Sequence, residues 1–267
     1  MSPSAAPASR RLDGRIAFVT GASSGLGARF ATVLADEGAR VVLAARRIER
    51  LEALRQAISA TGGSASVVAL DVNDLASIEA AVERAERDVG PIDVLVNNSG
   101  VSATGRLVNA SAEDYDFVMN TNVRGSFFVA QQVARRMIAR AESGSPATPE
   151  SSHRIINIAS VTGLKPLAQI GIYSISKAAI VHMTKSMALE WGRYGINVNA
   201  ICPGYVSTEI NEAHWQTDAG RKLVATLPRR RVGQVENLDG ILLLLASRES
   251  DFINGSVISV DDGHAVN

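Results

Sequence analysis

Seven short runs of β-branched and aliphatic residues recur along the chain, alternating with longer stretches of helical period, and this alternation restricts the fold more than any other feature. The runs fall at 15–20, 40–45, 66–70, 92–96, 154–159, 196–200 and 257–260. Several hold consecutive apolar residues (Ile-Ala-Phe-Val, Val-Val-Leu-Ala) where a strand wetted on one face would alternate, so both faces are expected to be covered. Helical stretches lie at 26–37, 47–60 and 75–89. Strands alternating with helices predict an α/β fold with a parallel sheet and helices on both faces. The pattern runs without a linker or an internal repeat, so a single domain is expected over 12–267. Two stretches depart from it. Residues 1–11, rich in Pro, Ala and Ser, read as a disordered tail, and 142–152 (ESGSPATPESS) as a surface-loop insertion that no core can use.

Composition bounds the function classes. Hydrophobic residues make up 46% and charged residues 20%, which suits a globular protein, and 27 basic residues balance 27 acidic ones. A balanced charge argues against nucleic acid or an anionic membrane as partner. The apolar run at 241–246 is far shorter than the ~20 residues that span a bilayer. The N-terminal stretch has no apolar core of the kind a signal peptide needs. One cysteine, Cys202, fits a reducing compartment, so a cytoplasmic location is expected.

Chemistry begins after the first run. Thr20-Gly21-Ala22-Ser23-Ser24-Gly25-Leu26-Gly27 opens a helix directly from a strand. Glycines there permit a tight turn and close backbone approach to a pyrophosphate seated on the helix N-terminus, which points to a dinucleotide. Two further features stand at strand carboxyl ends, where such a ligand lies. Asp71 could accept a hydrogen bond from an adenine amino group or cap the following helix, a role for which Asn73 or Asp74 is better placed. Asn97-Asn98-Ser99-Gly100 is a cofactor wall or plain turn chemistry.

A second constellation is Ser160, Tyr173 and Lys177. Ser160 ends a strand, and Tyr173 and Lys177 lie one helical turn apart on one face. A free Tyr titrates near 10, and bringing it to about 7 needs roughly 4 kcal/mol at 1.36 per unit. A neighbouring ammonium together with a cationic nicotinamide could supply that. The expectation is a phenol tuned for acid/base work by Lys177.

With these motifs in place, the chain resembles the short-chain dehydrogenase/reductase family, in particular its 3-oxoacyl reductase-like members, over about 12–267. The matching stretches are TGASSGLG, LDV, NNSG, Asn122 within MNTNV, Ser160 followed by YSISK, PGYVST and INGSVISVDDG. Ser99 departs from the family's usual Ala. The resemblance implies a doubly wound, seven-stranded Rossmann fold and hydride transfer between a nicotinamide and a carbonyl or secondary alcohol. In it Ser160 would hold the substrate oxygen, Tyr173 would exchange the proton, and Lys177 would tune Tyr173 and hold the nicotinamide ribose. Asn122 would anchor a relay water. The implied cofactor set is Gly21, Ser23, Ser24, Gly25, Leu26, Gly27, Arg46, Arg47, Asp71, Val72, Asn98, Ser99, Gly100, Tyr173 and Lys177, with Pro203, Gly204, Val206 and Thr208 around the nicotinamide. Residues 206–228 would form a substrate lid, and Thr162, Leu164, Gln169, Ile170, Tyr205 and Trp215, with Pro166 and Leu167, a mainly apolar pocket. That pocket suits a ketone, a 3-oxoacyl thioester or an uncharged sugar.

Cofactor choice is read at the end of the second run. A family member that uses NAD carries an acidic residue there, and this chain has Ala45 followed by Arg46 and Arg47. A guanidinium fork suits a 2′-phosphate. NADP (NADPH) is therefore expected, with Arg46 carrying most of the preference and Ser23 assisting; NAD is the less favoured choice. The alternatives are an NAD-dependent sugar or secondary-alcohol dehydrogenase and a non-catalytic dinucleotide sensor. Retention of all four catalytic residues weighs against the sensor. Four scattered histidines suggest no metal site. Arg229, Arg230 and Arg231 could attract an acidic carrier protein, or form a solvated turn. The segments 118–138 and 174–191 carry apolar residues on more than one face, and a homotetramer is expected.

Overall fold

The computed structural model describes residues 10–143, 152–209 and 211–266. Seven strands form one parallel sheet: β1 (Ile16–Thr20), β2 (Arg40–Ala45), β3 (Ser64–Ala69), β4 (Val94–Asn97), β5 (His153–Ile158), β6 (Ile196–Pro203) and β7 (Val257–Val260). Their order is β3-β2-β1-β4-β5-β6-β7. The expected strands are all present, with ends moved by up to three residues. β6 runs on to Pro203 because that residue pairs in register with Val260 of β7.

Nine α-helices stand among the described residues, beside short 3₁₀ turns: α1 (Gly25–Asp36), α2 (Ile48–Ala60), α3 (Leu75–Asp88), α4 (Ala112–Met119), α5 (Ser126–Glu142), α6 (Gly171–Trp191), α7 (Glu212–Trp215), α8 (Asp218–Thr226) and α9 (Asp239–Ala246). A π-turn, Asn120–Gly125, joins α4 to α5. Alternate residues of each strand feed two cores. Phe18, Val42, Leu95 and Ile155 pack with α3, α5 and α6. Val19, Val41, Leu43, Val96 and Ile156 pack with α1, α2 and α9. Continuous apolar runs follow from this double coverage.

The strand order reverses direction between β1 and β4. At such a switch point the crossover helices leave on opposite faces and open a crevice at the strand carboxyl ends, where ligands bind in open α/β sheets.

Of the expected tail, residues 1–9 lie outside the described residues. Arg10 and Arg11 belong to an ordered turn: the Arg10 guanidinium bonds Asp13, and the Arg11 amide donates to Glu37. Of the expected insertion, Glu142 closes α5, Ser152 donates to Asp251, and 144–151 lie outside the described residues.

Candidate active site

The glycine-rich turn holds its shape through two left-handed glycines, Gly21 (φ +65°) and Gly25 (φ +54°). A Cβ on Gly21 would lie 2.9 Å from the Asn98 amide nitrogen, and one on Gly27 would overlap the Gly21 carbonyl. Both positions therefore require glycine for close packing. Thr20 Oγ1 accepts the amides of Asn98 and Ser99, and Asn98 Nδ2 donates to the Thr20 carbonyl, locking the NNSG turn against the glycine turn. At the start of α1, Ser24 makes no side-chain cap and the first turn carries no acid. The first amides of α1 are thus left for an anion, and the cradle fits a pyrophosphate.

Arg47 stands over this cradle. Its Nε and one Nη donate to Ser23 Oγ (3.1 and 2.8 Å), and that Nη also reaches Ser24 Oγ (2.8 Å). Arg46 is exposed, and no described contact ties it to the turn. The emphasis placed on Arg46 shifts accordingly: where β2 ends and α2 begins, it is the side chain of Arg47 that folds back over the serines. Asp71 Oδ1 accepts the Asn73 amide at the end of β3, while Asp74 takes the helix-capping role by accepting from Ala76. Val72 is buried against the π-turn, where a Cβ on Gly125 would lie 2.7 Å from its carbonyl.

A cleft of about 660 Å³ at the strand carboxyl ends is walled by residues from the ends of β4, β5 and β6 and from α6. Tyr173 and Ser160 both line it, close enough for Ser160 to favour the ionised phenol. Ser160 Oγ is further fixed by the Thr162 amide (3.2 Å) and hydroxyl (3.1 Å). Lys177 is buried, donates to the Ile158 carbonyl at 2.8 Å, and lies 5.5 Å from the centroid of the Tyr173 ring.

The electrostatics differ from the expected tuning. Burial pushes the Tyr173 phenol above its usual value, and the nearby Ser160 only partly offsets this. Burial also lowers Lys177 to about 8, opposed weakly by Cys202. With its ammonium turned to Ile158, Lys177 does not lower the phenol in this state, and Tyr173 is protonated at neutral pH.

Asn122 is buried in the π-turn. Its Oδ1 accepts the Val101 amide (2.8 Å), and its Nδ2 donates to the Val101 carbonyl and Ser176 Oγ (2.9 Å each). Both amide hydrogens are thus spent on fastening the wall after β4 to α6.

On the substrate side, Thr162, Ile170 and Tyr205 line the cleft, as do Pro203, Gly204, Val206 and Thr208. Leu164 and Gln169 are exposed outside it, and Gln169 holds a left-handed φ of +67°. Trp215 sets its edge against Tyr205 (centroids 5.5 Å, 77°) and donates to Asn211 Oδ1, bracing the wall from behind. Of the predicted lid, Asn211 is the fastening: its side chain also takes the Thr208 amide and donates to the Val206 carbonyl. Sequence reasoning missed Val101, Ser102 and Phe117, which the cleft also exposes. Arg229 and Arg231 are engaged by Asp262, which leaves neither as a free docking cation. Among the described residues no cluster of histidine, cysteine or acidic side chains could hold a metal, and no helix is long and apolar enough to cross a membrane.

Comparison with known proteins identifies the family. The short chain dehydrogenase family profile matches residues 15–219. Gluconate 5-dehydrogenase of Gluconobacter oxydans is 40% identical, the alignment covering 96% of each chain. Sorbitol dehydrogenase of Cereibacter sphaeroides is 37% identical over 95% of this chain and 98% of its own. Among solved structures, a gluconate 5-dehydrogenase from Burkholderia cenocepacia, in complex with NADP and tartrate, superposes with a TM-score of 0.89 at 38% identity, covering 97% of this chain and 98% of that one. The chain belongs to the short-chain dehydrogenase family and is an oxidoreductase of CH–OH groups that uses a nicotinamide dinucleotide.

Proposed function

We propose that the protein is an NADP(H)-dependent oxidoreductase that interconverts an uncharged ketone and its secondary alcohol, with Ser160, Tyr173, Lys177 and Asn122 as its machinery. The observation that carries this reading is the meeting of Ser160, Tyr173 and the buried Lys177 in one cleft, with the Lys177 ammonium 5.5 Å from the centroid of the Tyr173 ring. A carbonyl oxygen bound there would meet two hydroxyl donors at once. Ser160 would stabilise the charge that develops on that oxygen. Tyr173, held protonated by burial, would supply the proton in reduction and recover it in oxidation. The dinucleotide supplies or takes up the hydride. Lys177 would hold the ribose beside Gly100, where a Cβ would lie 3.5 Å from the ammonium nitrogen. With its amide hydrogens spent on Val101 and Ser176, Asn122 would anchor a relay water through its backbone carbonyl.

Lys177 is the single charged side chain among the described residues that line the cleft. A substrate carboxylate would find no free cation there, and desolvating an unpaired charge is costly. This favours neutral substrates, a ketone, a 3-oxoacyl group or a polyol of the kind named for the sorbitol relative, over a sugar acid. The Arg47 fork over Ser23 and Ser24, with Ala45 where an acid would reject a phosphate, supports NADP(H) over NAD(H). Arg46 and Arg47 together would hold the 2′-phosphate. A buried, lone Cys202 suits the reducing cytoplasm, and the assembly is taken as a homotetramer.

The test is a panel of neutral ketones and polyols run with both dinucleotides. Higher kcat/KM with NADPH, lost when Arg47 and Arg46 are both made neutral and Ala45→Asp is added, is expected. Higher kcat/KM with NADH in the unmodified protein would refute the cofactor reading. Clear cofactor binding with no turnover of any compound would point to a sensor.

A further inference from the structure

Tyr205 stands between two cavities. On one side is the catalytic cleft. On the other is a chamber of about 190 Å³, lined by Leu227, Pro228, Asn237, Asp262 and His264. Among the described contacts the Tyr205 hydroxyl makes no hydrogen bond, so its ring is placed by packing alone. The His264 imidazole stacks on it (centroids 5.2 Å, 23°) while the edge of Trp215 meets it from the lid.

The segment that carries His264 is fastened at several points. Asp262 accepts from Arg229 (3.2 Å) and Arg231 (2.6 Å). The Asp261 carboxylate takes the amides of Gly263 (3.1 Å) and Ala265 (2.7 Å). Gly204, next to Tyr205, lies so close that a Cβ there would come within 2.7 Å of the Asp261 Cα. Non-glycine residues with a left-handed φ are few among the described residues: Gln169, Arg230 and Asp262 (φ +56°). Two of the three, Arg230 and Asp262, belong to this junction. Strained backbone persists where its surroundings over-determine it, and it clusters at sites that need a fixed geometry.

We infer that segment 261–264 is a latch that holds the Tyr205 ring as a partition between the two cavities, and that this partition limits the length of the substrate the cleft accepts. His264 is the positioning residue. With the partition in place the cleft takes compact neutral ketones; with it displaced, the chamber behind becomes an extension of the substrate site. The inference rests on the cleft being the site of carbonyl reduction, so its test has one arm that does not depend on turnover.

In that arm, Trp191→Phe leaves Trp215 as the sole tryptophan, and acrylamide quenching reads how tightly it is held against Tyr205. His264→Ala should raise the quenching constant about threefold or more, as expected when a ring in an aromatic stack is lost, and His264→Phe should restore it. Quenching unchanged in His264→Ala would overturn the latch. In the second arm, kcat/KM with NADPH is compared for 2-butanone and 4-phenyl-2-butanone. Tyr205→Ala should move the ratio towards the longer ketone by about three- to tenfold, His264→Ala should move it the same way, and His264→Phe should keep the original ratio. An unmoved ratio in Tyr205→Ala and His264→Ala, with unaltered NADPH affinity, would overturn the size limit. Failure of the unmodified protein to reduce either ketone counts against the partition as a limit on ketones and against the proposed reaction, while quenching still decides the latch.

Discussion

Tyr173 shows how one side chain can be set by burial before any ligand arrives. Its phenol is held above its ordinary value by loss of solvent, and it shares the cleft with Ser160, itself fixed by two groups of Thr162. Tyr173→Phe removes one oxygen and leaves the packing in place. Turnover should fall by about 10²–10⁴, the usual worth of a general acid, while the dissociation constant for NADPH stays as in the unmodified protein. Single-turnover kinetics and a fluorescence titration check the two halves, and a kcat within tenfold of wild type would refute the assignment. Much of this site was legible residue by residue. Glycines at 21, 25 and 27 and a Tyr and Lys four apart are local patterns with a local physical meaning. What the spacing could not say was where a long side chain turns. Lys177 and Arg47 each have several rotatable bonds, and the carbonyl of Ile158 and the hydroxyls of Ser23 and Ser24 that capture them come from distant parts of the chain. Val101, Ser102 and Phe117 were missed for a different reason, since small and apolar wall residues carry no chemistry that marks them.

The strand β5 carries a charge problem at its first residue. His153 is 8% exposed and its Nδ1 has no hydrogen-bond partner. Asp93 lies 4.0 Å away and favours protonation. Burial opposes it, as do Arg140, Arg15 and Arg154, and these win: the imidazole is lowered to about 4. The folded state therefore keeps His153 neutral at pH values where the unfolded chain, titrating near 6.5, already binds a proton. Stability contributed by this residue is complete above pH 6.5 and is lost as pH falls towards 4, by about 3 kcal/mol at most for a shift of this size. Urea midpoints at pH 7 and pH 4.5 should separate more widely in the unmodified protein than in His153→Gln. Equal separation would show that His153 does not set the acid limb. At the scale of elements the sheet was readable because strands covered on both faces carry consecutive apolar residues, as β1 (IAFVT) and β2 (RVVLAA) do. The π-turn Asn120–Gly125 was not. Its sequence, NTNVRG, has no helix breaker before the closing glycine, and the wider turn depends on Gly125 packing against Val72 and on Asn122 bonding Val101, both contacts across long stretches of chain.

For the whole molecule, the two cores account for most of the apolar residues of α5 and α6, but not for all. Val129, Val133, Met137, Ile180, Met183 and Met187 are buried within one protomer. Phe127 (38%), Ile175 (49%) and Leu189 (86%) remain exposed. Between the two helices runs an open groove of about 860 Å³, with Met119, Val123, Phe127, Ile138 and Trp191 among its walls. An apolar groove of this extent along two helices is unusual on a monomer, and the same face of a second copy would cover it by a two-fold axis that sets α5 and α6 of each protomer against those of the other. Such a contact alone makes a dimer. A second axis is expected at the far edge of the sheet, where β7 has β6 on one side and, among the described residues, no strand on the other, and where Phe252 stands fully exposed. An uncovered parallel edge with an exposed aromatic beside it is a surface that proteins rarely leave open. Two such axes at right angles close four copies into a tetramer. Light scattering at micromolar concentration should give four times the 28.2 kDa of one chain. Phe127→Glu, which places a charge in the helix groove while leaving β7 untouched, should reduce this to a dimer. A monomeric mass for the unmodified protein would refute the tetramer.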